Sequence, residues 1–193
     1  MDRRDGEDRR VLVAGVGKFI YTSVFRGQSL RHLAIVRAHE DFVTALRASG
    51  MGYAVIRPNG FFSDMGEYRK MAAKGRVYLI GAGDNRINPI HGADLAVTCA
   101  DAVEGEEVEI DVGGPEVLTH RQIAELAFNT VGKPRKISSI PLWLMRGVVA
   151  MARLVNRHQG ELLAFFTEAM TADAVAPATG SRSLAEHFEE RAP

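Results

Sequence analysis

The run from Lys18 to Arg57 constrains this chain most, because it sets an apolar stretch, a helical stretch and a second apolar stretch within 40 residues. KFIYTSV (18–24) is rich in aromatic and β-branched residues and reads as a buried strand. Gly27 and Ser29 break it. From 30 to 48 the spacing turns helical: His32, Ile35, Val36, His39, Phe42, Val43 and Leu46 share one face of a 3.6-residue repeat. Gly50 and Gly52 stop the helix, and YAVIR (53–57) is a second buried strand closed by Pro58. Two such strands around one helix predict a parallel βαβ unit, since parallel neighbours need a crossover connection.

The alternation continues downstream. Short helices are expected over 64–73 and 94–103, strands over 76–80 and 107–112, and an extended piece at 88–90. Asp94 is placed as the cap of its helix, with His91 packed at the entrance. Thr119 and Gln122 have capping-box spacing for a helix running to Val131, which Gly132 and Pro134 end. A strand over 136–139 follows, then Pro141 opens a helix to Val155. Further helices cover about 160–170 and 183–190.

Lys+Arg and Asp+Glu number 24 each, and this balance argues against a nucleic-acid binder, which needs a cationic excess. The single cysteine, Cys99, excludes an internal disulfide and any multi-cysteine metal site, and fits a reducing, cytoplasmic setting. The first ten residues hold eight charges and no apolar run, unlike a secretory signal. The most apolar window, Ile140 to Val155, is shorter than a bilayer span and carries Arg146 and Arg153, so it reads as a buried or surface-lying helix. No membrane span is expected.

The chemistry-bearing residues cluster at strand ends. RPNGFF (57–62) directly follows the second strand, so Pro58, Asn59 and Gly60 fall on the rim where open α/β sheets bind ligands. Ser23 and Val24 end the neighbouring strand on the same rim. His32 and His39 are seven apart, a spacing unlike the three or four of a helical metal pair, and no metal site is expected. The GVG at 15–17 precedes a strand instead of joining strand to helix, and so reads as a helix C-cap, not a phosphate loop.

Taken in order, KFIYTSV, RPNGFFSDM, GRVYLIGAGDNRINPIHGADLA and DVGGPEVLTHRQIAELA resemble the atypical short-chain dehydrogenases/reductases of the NmrA-like kind, which are NAD(P)-binding Rossmann proteins. The resemblance covers about 11–190 and begins partway through that fold. The Gly-rich turn that cradles the pyrophosphate has no counterpart here, and 11–17 matches the end of the helix before the family's fifth strand. It implies that Ser23 occupies an active-site Ser/Thr position and that Pro58, Asn59, Gly60 and Phe61 lie against the nicotinamide half of the cofactor. The family's catalytic tyrosine and lysine would fall at His32 and Val36, neither of which is kept; His32 is then the candidate proton relay.

The expectation is therefore an α/β protein: the C-terminal portion of a parallel-sheet Rossmann fold with a small helical substrate-side region. Its expected parts are a charged leader (1–10), a partial Rossmann core (11–113) and a mostly helical region (114–193). The expected function is NAD(P)-dependent hydride transfer to a small, apolar substrate, with Ser23 and His32 catalytic and Ser23, Val24, Pro58, Asn59, Gly60 and Phe61 at the cofactor. The alternatives are a dinucleotide sensor, an interaction module or an inactive remnant. A strand at 18–24 without its upstream neighbours would expose an edge, which predicts homodimer formation.

Overall fold

The computed structural model describes residues 17–190; the charged leader and nearly all of the 11–17 segment lie outside the described residues. The predicted βαβ unit forms as β1 (Lys18–Thr22), α1 (Ala34–Ala48) and β2 (Gly52–Pro58), with β1 and β2 parallel and Lys18 opposite Gly52. β2 lies at the centre of a three-stranded parallel sheet, with β1 on one side and β5 (Glu109–Val112) on the other. Alternation along each strand sends side chains to two faces. Phe19, Tyr21, Tyr53 and Val55 meet Val43 and Leu46 of α1. Ile20, Ala54, Ile56 and Val112 turn the other way, onto Leu95, Cys99 and Ala102 of α3 (Gly92–Glu104).

A second core forms beyond the sheet. α2 (Phe62–Ala73), β3 (Val77–Ile80) and β4 (Arg86–Ile87) pack with β6 (Leu118–Thr119), α4 (His120–Val131), β7 (Ile137–Ile140) and α7 (Leu184–Glu190). β3 runs parallel to β7, and β4 antiparallel to β6. Phe62, Tyr68 and Leu79 thereby share one cluster with Ile123, Phe128 and Phe188. α5 (Leu142–Val155) and α6 (Arg157–Thr171) form an antiparallel-type hairpin beside α1, where Val149 and Ala164 enclose Leu33 and Val36.

Several boundaries move, each for a local reason. The helix expected from 30 begins at Ala34, because Gly27–Leu30 closes a separate 3-10 turn and Leu33 is extended. His32 is thus outside the helix and exposed, and the buried stripe is Val36, Glu40, Val43 and Leu46. The extended piece at 88–90 forms an isolated bridge, Ile90 with Phe61, while a separate two-residue strand lies just upstream at Arg86–Ile87. The cap of α3 is His91, whose Nδ1 accepts from the Ala93 amide at 3.1 Å. Asp94 instead accepts from the Ser181 and Arg182 amides at 2.9 and 3.1 Å and pairs with the Arg182 guanidinium, fixing the loop before α7. The Thr119–Gln122 capping box forms with both hydrogen bonds, and Gly132 ends α4 at φ 64°.

Candidate functional site

Because β1 and β2 are parallel, both carboxyl ends open on one side. A cleft of about 150 Å³ lies there. Val24, Phe25 and Asn59 form one wall, and Phe165, Ala169 and Ala174 line it from α6 and the segment after it. Drug-sized ligands occupy about 300–1,000 Å³. This cleft is therefore large enough for one ring, not for a dinucleotide. Arg26, at its mouth, holds φ 52° and is the only non-glycine residue with positive φ among the described residues. Such conformations cost about 1–3 kcal/mol and cluster at ligand sites.

Of the rim residues expected from sequence, Val24 and Asn59 line the cleft, whereas Pro58, Gly60 and Phe61 do not. Their backbone is largely engaged in the fold: Pro58 O accepts from Phe25, Gly60 O accepts from Ile90, and the Asn59 amide donates to Val112 O. The Asn59 side-chain nitrogen donates to Ala174 O at 2.6 Å and to Asn88 Oδ1, while its buried Oδ1 has no hydrogen-bond partner. Asn88 donates to the Gly114 and Ala176 carbonyls, both at 2.9 Å, and so ties three segments behind the cleft.

Ser23 sits one residue below the rim and is buried. Its hydroxyl donates to Glu40 Oε1 at 3.1 Å. Glu40 is gripped on both oxygens by Arg57, whose Nη1 and Nη2 donate at 2.6 and 3.1 Å. Arg57 also donates to the Val24 carbonyl at 3.1 Å and to Glu109 at 3.2 Å. The Glu40 and Arg57 side chains are each 2% exposed. Burial raises the Glu40 carboxyl, but the hydrogen bonds and charge of Arg57, with Ser23 assisting, outweigh it and hold the group below the ordinary carboxylate range.

His32 lines a different cleft, with Arg146, Arg153 and Glu168. His39 hydrogen-bonds to Tyr21 Oη at 2.7 Å on the α1 side of the sheet. Val36, four residues after His32, is fully buried under Val149 and Ala164. The sequence reading missed Glu40, Arg57 and Asn88. A charge closing the apolar run YAVIR and another between Val36 and Val43 are the signals that could have found the first two.

No family model matches the chain. Among curated proteins, the chloroplastic divinyl chlorophyllide a 8-vinyl-reductases of Cucumis sativus and Zea mays are 31% and 29% identical to it over 104 and 112 residues. These matches take in 50% and 54% of this chain but 25% and 28% of theirs, so the chain spans about a quarter of the length of the curated relatives it matches. Among solved structures, an NADPH-dependent quinone oxidoreductase from Escherichia coli superposes with a TM-score of 0.73 at 18% identity, over 92% of this chain and 68% of that one. The Citrobacter sp. triphenylmethane reductase complexed with NADP(H) gives 0.66 at 18% identity, over 93% and 66%. A Staphylococcus aureus nucleoside-diphosphate-sugar epimerase gives 0.70 at 17% identity, over 91% and 65%. These likenesses show the fold: the chain has the Rossmann-like α/β architecture that these reductases and the epimerase share.

Proposed function

We propose that this chain forms the nicotinamide-side part of an NAD(P)-dependent reductase acting on a small apolar molecule with a reducible double bond. The observation that carries this reading is the ring-sized cleft at the carboxyl ends of two adjacent parallel strands, walled by Val24 and Asn59. The unpartnered Asn59 Oδ1 fits a carboxamide donor on such a ring. When bound, a reduced nicotinamide supplies a hydride; the protein supplies orientation and electrostatics. Arg57 fixes the Val24 carbonyl and, through Glu40, the Ser23 hydroxyl. Ser23 can polarise a substrate oxygen only by turning its hydrogen bond away from Glu40. His32 would serve as a proton relay by linking its own cleft to this one across Leu33, which lines both. The helical region from about 114 onward closes the substrate side.

The named activities of the quinone oxidoreductase, the triphenylmethane reductase and the vinyl-reductases support a reductive role on conjugated substrates. A second reading, a dinucleotide sensor without turnover, is favoured by one observation: fully buried Val36 stands where the family's lysine would hold the nicotinamide ribose. The single cysteine keeps a reducing, cytoplasmic location within the proposal, although the plant relatives are chloroplastic. No helix among the described residues is long and apolar enough to cross a membrane. The outer edge of β1 is unpaired among the described residues, and homodimer contact through it belongs to the same proposal.

The test is an amide NMR titration with reduced nicotinamide mononucleotide and, separately, AMP. Shifts at Val24–Arg26 and Asn59 with the first only, reduced in Asn59→Leu, are expected. No shift at these residues overturns the reading. NADPH oxidation against a panel of enones and quinones then separates reductase from sensor.

A further inference from the structure

The outward face of α5 is apolar and uncovered among the described residues. Met145 and Val149 point into the protein, while Trp143, Met151, Leu154 and Val155 are 74%, 63%, 83% and 83% exposed. At 3.6 residues per turn, Trp143, Leu144, Gly147, Val148, Met151, Leu154 and Val155 form an uncharged arc of about 140°. A 14-residue helix runs about 21 Å. A contiguous apolar surface of this length marks an interaction site, not scattered surface hydrophobics.

The helix's own charges are of one sign, Arg146 and Arg153. Between Glu125 and Glu161 the chain has no acidic residue and six basic ones: Lys133, Arg135, Lys136, Arg146, Arg153 and Arg157. The excess is one of sequence: in the fold Arg135 pairs with Glu125 and Arg153 with Glu161. Arg146 and Arg153 lie seven apart along one margin of the arc, where their stems can run along apolar surface while the heads reach polar groups. Arg146 makes no ion pair among the described residues, and Arg153 pairs with Glu161.

We propose that α5 lies in the plane of an anionic lipid surface, with Trp143, Met151, Leu154 and Val155 entering the headgroup–acyl boundary and Arg146 meeting lipid phosphates. An amphipathic helix with a Trp-bearing apolar side and an arginine margin has the composition of an interfacial helix. A second copy of the chain fits less well. A two-fold contact sets the same patch against itself, which brings Arg146, unpaired among the described residues, toward its counterpart with no acidic residue on α5 to offset it. This inference does not depend on cofactor binding.

Trp143 is the only tryptophan, so its emission reports on this helix alone. The whole protein is mixed with vesicles of phosphatidylcholine, or of phosphatidylcholine with phosphatidylglycerol, and followed by emission and flotation. With the anionic vesicles, Trp143 emission shifts to the blue and the protein floats; with neutral vesicles binding is much weaker. Arg146→Gln weakens anionic binding about fivefold, the equivalent of about 1 kcal/mol per basic residue near such a surface. Met151→Glu with Leu154→Glu, both at exposed positions, abolishes flotation while far-UV circular dichroism stays unchanged. Absence of binding, equal binding to both vesicle types, or a lipid-free dimer whose Trp143 emission is already blue-shifted overturns the proposal; the last assigns the face to a second copy.

Discussion

Replacing Arg57 by Met tests the buried charge network directly. Arg57 makes two hydrogen bonds to Glu40, one to the Val24 carbonyl and one to Glu109, and both members of the Glu40 pair are shielded from water. The variant leaves the Glu40 carboxylate buried with only the Ser23 hydroxyl as partner. Removing one partner of a buried pair costs about 3–5 kcal/mol. That is a large share of the 5–15 kcal/mol that holds a domain of this kind together. The double variant Glu40→Leu, Arg57→Met removes both charges, and about half of the loss or more is recovered, because a buried pair is worth little more than an apolar replacement.

The pH dependence separates charge from packing. In the parent protein the Glu40 carboxyl lies below its unfolded value, so its stabilisation is present above about pH 4.3 and is lost as pH falls through the folded value. Without Arg57, burial is opposed only by the Ser23 hydrogen bond and the Arg31 charge, and it raises the carboxyl above its unfolded value. The folded variant then binds more protons than the unfolded chain, and its deficit against the parent narrows between pH 7 and pH 5. Urea unfolding followed by circular dichroism at the two pH values measures both quantities. A loss below about 1 kcal/mol for the single variant, a double variant no more stable than the single, or a deficit independent of pH would refute the reasoning.

Three further outcomes are expected. Gly27→Ala places a methyl onto the Glu40 carboxylate and 3.0 Å from Arg57 Nη1, costing about 1–3 kcal/mol in thermal melts; the cost vanishes in a Glu40→Ala background. His120 is buried against Tyr68 Oη at 2.7 Å, and burial lowers its pKa, so the stability it supplies is present above about pH 6.5 and lost as pH falls; His120→Gln abolishes that part of the loss between pH 7.5 and 5.5 in paired melts. Thr119→Ala removes the cap of α4 and costs about 1 kcal/mol by urea unfolding, an amount that a second change at Gln122 does not double.

Elements whose pattern is local were legible in the sequence. The β1–α1–β2 unit follows from apolar period and glycine stops alone, and the Thr119 capping box needs only three residues of spacing. What escaped was set by partners distant in sequence. Glu40, outside the apolar stripe named for its helix, gains a role only through Arg57, 17 residues on in the neighbouring strand. The same holds for Asp94: its position before a helix suits a cap, yet its oxygens serve amides 87 and 88 residues away. Ser23 and His32 are both catalytic in the sequence reading because the family resemblance matches them to its active-site positions. The 3-10 turn at Gly27–Leu30 separates them, leaving Ser23 buried and His32 exposed on another cleft.

The network beneath the cleft also bears on what the site can tolerate. One guanidinium near the carboxyl end of β2 joins three elements, since Arg57 reaches the Val24 carbonyl just after β1, Glu40 of α1 and Glu109 at the start of β5. Apolar side chains could fill that volume at similar stability, but they could not hold a backbone carbonyl in one orientation. Charged hydrogen bonds are directional, and three acceptors arranged around one planar donor admit one geometry. The consequence falls on Val24, which is both an acceptor for Arg57 and a wall of the cleft. The wall is thus set from below, and Asn59 beside it holds a buried side-chain oxygen with no hydrogen-bond partner. A wall held before any ligand arrives is what the proposed ring site would need, and it arises here from residues that the βαβ crossover brings to a single edge.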